Sequence, residues 1–168
     1  MTLTELNALP RYRAEGEFIK CCGSAAWART MAGRRPFVSF DRLLKAASEV
    51  WWRLDQADWI EAFRAHPQIG ERKGAAQTST QYHAWSAHEQ SGMDRAGVAV
   101  ASALEEGNRE YLAKFGYIFI VCATGKSADE MLAMLQSRLL NLPEEEIRVA
   151  AAEQNKITCL RLEKLLVV

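Results

Sequence analysis

The chain is predicted to be all-α: a single compact multi-helix domain over residues 1–168, with one short extended segment near 117–123. Three observations carry this. Apolar residues recur every three or four positions along most of the chain, the period of a helix that buries one face. Glycine and proline fall mostly between these runs, where they punctuate helices. Only Tyr117-Ile118-Phe119-Ile120-Val121-Cys122-Ala123 has a continuous β-branched and aromatic character, and no second such run exists to pair with it.

A weak helical pattern covers Phe18 to Met31, and Arg34-Arg35-Pro36-Phe37 breaks it. Ser39 is placed to cap a helix in which Phe40, Leu43, Ala47, Val50 and Leu54 recur on one face. Asp55 caps the next, whose Trp59, Ile60 and Phe63 lead to Ala65-His66-Pro67-Gln68-Ile69-Gly70. Proline disfavours the α region for the residue before it. His66 is therefore held where a helix stops and the chain turns.

Gly70 to Thr80 is small and polar, a surface loop. Helical pattern resumes through Tyr82, Trp85 and Glu89, with Gly92 as a stop. Ser86, Glu89 and Gln90 have the spacing that shares one helical face. Asp94 opens a longer segment with Val100, Leu104, Asn108, Tyr111 and Phe115 in one stripe, ended by Gly116. Asn108 is the polar member, and a buried amide needs partners. It reads either as a tether between helices or as a group used in chemistry.

The 117–123 run has no partner strand, so its backbone groups must be satisfied in another way. That leaves N–H groups to point at a ligand. Ser127-Ala128-Asp129-Glu130 is a capping box opening a helix through Met131, Leu132, Met134, Leu135 and Leu139. Asn141-Leu142-Pro143 precedes the last helix, and Glu144, Glu145 and Glu146 suit its positive dipole end. Ile157, Arg161 and Leu165, four apart, place a guanidinium on an apolar stripe. Either its stem snorkels to water, or its head turns inward and meets an anion such as a substrate carboxylate.

Composition narrows the function classes. Hydrophobic residues make up 49% and charged residues 25% of the chain, ordinary values for a globular protein. Lys plus Arg and Asp plus Glu each total 21, so no basic field exists to attract nucleic acid or an anionic membrane. No apolar run approaches the roughly 20 residues that span a bilayer, and the first residues lack the pattern of a signal peptide. A cytoplasmic location is expected. Cys21, Cys22, Cys122 and Cys159 lack metal-ligand spacing and read as reduced, mostly buried thiols.

A histidine at a helix exit and a carboxylate on a nearby helix make a candidate acid/base pair, His66 with Glu89. The bland alternatives are a histidine that caps a helix C-terminus and a solvated helical carboxylate. A metal-dependent hydrolase using His66, His88 and Glu89 is a second enzymatic reading. His83 and His88, five apart, do not share a helix face, so no metal site is expected. A helical interaction module without catalysis is the reading from another class, and it predicts no turnover to lose when His66 changes.

Taken in order, the motifs resemble the OHCU decarboxylase family. They are Arg35-Pro36-Phe37, Ala65-His66-Pro67, Ser86 through Glu89-Gln90-Ser91-Gly92, Asn108, Tyr111, Lys114-Phe115-Gly116, Phe119-Ile120, and Lys156-Ile157 through Leu160-Arg161-Leu162. The likeness covers nearly the whole chain. It departs from the family at Gln68-Ile69-Gly70, where many members read Asp-Leu-Ala-Gly, and at Ile118, where many have proline.

The resemblance implies an all-helical, cofactor-free, typically homodimeric enzyme of urate breakdown. Such an enzyme decarboxylates 2-oxo-4-hydroxy-4-carboxy-5-ureidoimidazoline to (S)-allantoin. It implies that His66 is catalytic with Glu89 as its acidic partner. By the same resemblance, Pro67, the stretch from Ser86 to Gln90, and Phe119, Ile120, Val121, Cys122 and Ala123 contact substrate. The arginine of the family's last helix falls on Arg161.

Overall fold

Helices are separated by caps and turns that the local sequence supplies, and the computed structural model describes them for residues 1–68 and 97–166. Among the described residues there are eight helices and no β-strand. They are α1 (Leu3–Ala8), α2 (Arg11–Cys22), α3 (Ala25–Gly33), α4 (Phe40–Trp51), α5 (Gln56–Arg64), α6 (Val98–Phe115), α7 (Ala128–Arg138) and α8 (Pro143–Leu165). None is long and apolar enough to cross a membrane. The loop from Gly70 to Thr80, the helix through Tyr82 to Glu89, Gly92 and Asp94 lie outside the described residues.

The caps explain the boundaries. Ser39 accepts a hydrogen bond from the Arg42 N–H at 3.2 Å, and Asp55 accepts one from the Asp58 N–H at 3.1 Å. Each satisfies one of the orphan donors of a helix start. Ser127 and Glu130 complete a reciprocal capping box. The pattern from Phe18 to Met31 is two helices rather than one. Gly23 adopts φ 87° and ends α2, and Ser24 accepts from the Trp27 N–H to begin α3. The helix expected from Asp94 begins at Val98, because Gly97 is extended and serves as its cap.

The described chain falls into two compact units, residues Met1–Ala62 with Gln154–Val168, and Phe63–Glu153. In the first, Phe18 lies edge-on to Trp27 at 5.8 Å and to Phe37 at 6.4 Å. The Trp27 indole donates to the Ala47 carbonyl at 3.0 Å, and the Trp59 indole to that of Trp51 at 3.0 Å. Both buried indoles thus meet the partner that burial demands.

The break at Arg35-Pro36-Phe37 is held by side chains instead of a ladder. Asn7 pairs with both backbone groups of Phe37 at 2.9 Å. The Arg35 guanidinium donates to the carbonyls of Leu6, Asn7, Leu9 and Ala32. Cys21 and Cys22 are buried, unbridged thiols here, and burial pushes Cys22 up to about 12.

In the second unit α6 and α7 approach closely where α6 has no side chain. A Cβ on Gly107 would lie 2.7 Å from Cδ2 and 3.2 Å from Cγ of Leu135, and Leu135 is wholly buried. Gly107→Val should therefore destabilise the fold by about 1–3 kcal/mol, the usual cost of overpacking a filled core. Urea denaturation measures it. An unchanged midpoint would show that Leu135 can move aside.

Candidate active site

The second unit contains the stretch with unusual backbone demands. Residues 118–123 are neither helix nor strand, yet Tyr117, Phe119, Ile120, Val121, Cys122 and Ala123 are all buried. Buried peptide groups without a ladder need other partners. Charged side chains supply three of them. Arg138 Nη1 donates to the Ile120 carbonyl at 2.7 Å, the Cys122 N–H donates to Glu153 Oε2 at 2.7 Å, and Lys126 Nζ donates to the Cys122 carbonyl at 2.7 Å. A turn closes the segment, with the Lys126 N–H on the Ala123 carbonyl and Gly125 at φ 78°.

Arg138, the last residue of α7, is itself held on all sides. Its Nε donates to Glu146 Oε1 at 2.7 Å, and its Nη2 lies 2.6 Å from the same oxygen. Nη2 also donates to the Tyr111 hydroxyl at 3.3 Å. The guanidinium carbon sits 4.6 Å from the centre of the Phe119 ring, within cation–π range. Glu146, wholly buried in the first turn of α8, accepts further from the Tyr111 hydroxyl and from Asn141 Nδ2. A guanidinium fork and a carboxylate that accepts on both oxygens make this burial tolerable.

Aromatic rings connect the cluster to Phe63, three residues before His66. Tyr111 packs against Phe119 at 5.4 Å and Tyr117 at 5.8 Å, and Tyr117 packs against Phe63 at 5.2 Å. Phe63 lies in the last turn of α5. The His66 N–H then donates to the Phe63 carbonyl at 3.1 Å, tightening the helix exit before Pro67. His66 and Pro67 are half-buried, and His66 Nε2 is shielded from solvent.

Of the sequence candidates, His66, Pro67 and the 119–123 segment thus fall in one unit. Ser86, Glu89 and Gln90, with His83 and His88, lie outside the described residues. Arg161 belongs to the first unit, where it is wholly buried and does not snorkel. There it counters the rise that burial imposes on the Cys21 and Cys22 thiols.

The structure adds detail to two expectations. The Cys122 N–H is occupied by Glu153, so it is not among the amides that can meet a ligand. Those of Phe119, Ile120, Val121 and Ala123 make no hydrogen bond among the described residues. Glu146 does more than complement a helix dipole, since it neutralises Arg138. Asn108 is buried and engaged, and Lys114 donates to the carbonyls of Leu139 and Asn141 beyond the end of α7.

Sequence reasoning passed over Arg138 and Glu153 and read Glu146 only as a dipole partner. The signal was their place in the apolar period: Arg138 follows buried Met131 and Leu135, and Glu146 and Glu153 flank buried Ala150. Among the described residues no group of three or more His, Cys, Asp or Glu side chains is disposed to hold a metal ion.

Burial pushes the Tyr117 phenol up to about 12, and the nearby charge of Glu146 adds to the rise. Burial raises Tyr111 further still, against the opposing charge of Arg138. A phenol whose pKa is raised on folding contributes fully below its unfolded value, here 10.0. That contribution is lost as pH climbs towards the folded value. Tyr117→Phe should therefore make the fold less sensitive to alkali between pH 10 and about 12. Far-UV circular dichroism against pH measures this, and identical alkaline midpoints for variant and parent would refute it.

Comparison with known proteins follows the same outline. A family model described as OHCU decarboxylase matches residues 7–163. The chain is 37% identical over 152 residues to the uric acid degradation bifunctional protein TTL of Arabidopsis thaliana, covering 90% of this chain and 47% of that protein. It thus spans about half of that relative's length. It is 28% identical over 172 residues to the 2-oxo-4-hydroxy-4-carboxy-5-ureidoimidazoline decarboxylase of Halalkalicoccus jeotgali, covering 99% of this chain and 93% of that one. A crystal structure of OHCU decarboxylase in the presence of (S)-allantoin superposes with a TM-score of 0.76 at 36% identity, over 89% of this chain and 96% of that chain. A crystal structure of (S)-allantoin synthase, at 18% identity and a TM-score of 0.73, shares the fold over 99% of this chain and 54% of that one.

Proposed function

The chain belongs to the OHCU decarboxylase family, and from that premise we propose that it converts 2-oxo-4-hydroxy-4-carboxy-5-ureidoimidazoline to (S)-allantoin and carbon dioxide in urate degradation. It is a carboxy-lyase. The observation that carries this reading is the family match over residues 7–163, joined to a buried segment with open amides in the same unit as His66.

The chemistry sets what the residues must do. The bond from the ring carbon to the carboxylate breaks, its electron pair forms a double bond to the ureido-bearing carbon, and the ring imine nitrogen that receives the displaced pair takes up a proton. The hydroxyl on that carbon gives up its proton and becomes a carbonyl. The carbon carrying the ureido group gains a proton on one face, which sets the product's hand. The electron sink lies within the substrate, so no cofactor is required.

Negative charge develops on oxygen as the hydroxyl becomes a carbonyl. Backbone amides of the 119–123 segment meet it, and a preorganised donor of this kind is worth about 3 kcal/mol. The buried side chains of that segment keep water away, which strengthens those bonds. His66 acts as the acid. Pro67 fixes the turn behind it.

Glu89 orients His66 or the substrate hydroxyl, and its charge disfavours the neighbouring carboxylate before it leaves. Ser86 and Gln90 hydrogen-bond the ureido and ring amides, and Arg161 holds an anionic group. The homodimeric state and the cytoplasmic location belong to the same reading.

Fresh substrate generated from urate decays unaided to racemic allantoin, so circular dichroism reads both rate and hand. Wild-type protein should accelerate the decay and yield the S enantiomer. His66→Ala should leave the helical spectrum intact and lower kcat by about 10²–10⁴-fold, the range for a lost general acid. Glu89→Gln should also cripple turnover. Full activity in His66→Ala would remove the imidazole from the mechanism.

A further inference from the structure

The charged anchors of the 119–123 segment fall on alternate residues. Along an extended chain, the N–H and C=O of one residue leave the same edge, and those of the next residue leave the opposite edge. The three charged anchors fall on residues of one parity: the Ile120 carbonyl on Arg138, and both the N–H and the carbonyl of Cys122 on Glu153 and Lys126. The amides of Phe119, Val121 and Ala123 have the other parity and make no hydrogen bond among the described residues. Charged side chains hold Ile120 and Cys122, while on the other parity only the Ala123 carbonyl is held among the described residues, by the Lys126 N–H.

The fastenings are of opposite sign. A cation takes a carbonyl and an anion takes an amide two residues on. Neither partner can accept the other's group, so the segment cannot roll about its axis without breaking both bonds. Charge-assisted bonds of this kind are roughly twice as strong as neutral ones. The rings add a second restraint, because Arg138 rests on Phe119 at 4.6 Å. Arg138 is in turn aimed by Glu146 and Tyr111.

We propose that Arg138 and Glu153 are positioning residues of the reaction, fastening one edge of the 119–123 backbone so that the amides of Val121 and Ala123 face the developing oxyanion. This rests on the decarboxylase reading above. Neither side chain touches substrate; each acts through the peptide group that it holds. Tyr111 and Glu146 serve the same end by fixing the guanidinium.

Kinetics and stereochemistry of Glu153→Leu, Glu153→Gln and Arg138→Lys test this, with folded fraction followed by far-UV circular dichroism. Glu153→Leu removes the acceptor for the Cys122 N–H. It should lower kcat by about 10²-fold, the effect of a small misplacement at a reacting centre, with KM nearly unchanged. Glu153→Gln keeps an oxygen for that N–H and should recover most of kcat. Arg138→Lys keeps the charge opposite Glu146 but has no fork to reach the Ile120 carbonyl as well. Its kcat should fall by about tenfold or more.

All three should erode the enantiomeric excess of the allantoin, in proportion to the loss of kcat. A purely structural role would lower activity only in step with the folded fraction and leave the excess unchanged once the racemic product of unaided decay is subtracted, and that result would overturn the proposal. So would wild-type kcat in folded Glu153→Leu. Should Glu153→Leu not fold, wild-type kcat in Arg138→Lys decides against it equally. A wild-type protein that fails to accelerate substrate decay would instead bring down the decarboxylase reading itself.

Discussion

A buried stretch of backbone without a strand partner governs the second unit. Residues 118–123 pair with no ladder, and every peptide group there that is not hydrogen-bonded forfeits its hydration. Helices on either side cannot help, because their own peptide groups are already used. Long charged side chains are what remain, and Arg138, Glu153 and Lys126 supply them. Among the described residues, the groups around them make those charges tolerable.

Glu146 and Tyr111 follow directly from that need. A guanidinium taken out of water costs several kcal/mol unless it is paired with good geometry, and the Glu146 carboxylate provides the pairing. Such a pair returns little net stability. What it yields is placement: one carbonyl of an irregular segment is fixed in position and direction. The first unit solves a smaller version of the same problem at Phe37 and Arg35, where a planar amide and a guanidinium fork replace a ladder. In both places flat side chains with several donors or acceptors hold the non-helical backbone.

This arrangement suits a decarboxylation whose electron sink belongs to the substrate. The protein need not supply a reactive group for the bond-breaking step. It must hold hydrogen-bond donors at a site where charge appears, exclude water, and present an acid on one side. Rigid backbone amides reorganise little as charge develops, which is the source of their catalytic value. In the proposed reaction that acid is the His66 imidazole, which the structure holds between a tightened helix exit and a proline.

The helical fold was legible in the residues because its determinants are local. The apolar period, the caps at Ser39, Asp55 and Ser127, the glycine stop at Gly116 and the helix exit before Pro67 each act within a turn or two of their own position. The unpaired character of 117–123 was legible too, since the chain offers no second run of its kind. Who satisfies that segment was not. Glu146 in the first turn of a helix looks like a dipole partner, and Arg138 at the end of one looks like its counterpart. Only the packing of α6, α7 and α8 around the segment turns both inward, joining residues as far apart as Tyr111 and Glu146. Local sequence decides which residues are helical; which buried charge meets which peptide group depends on how separate helices come together in space.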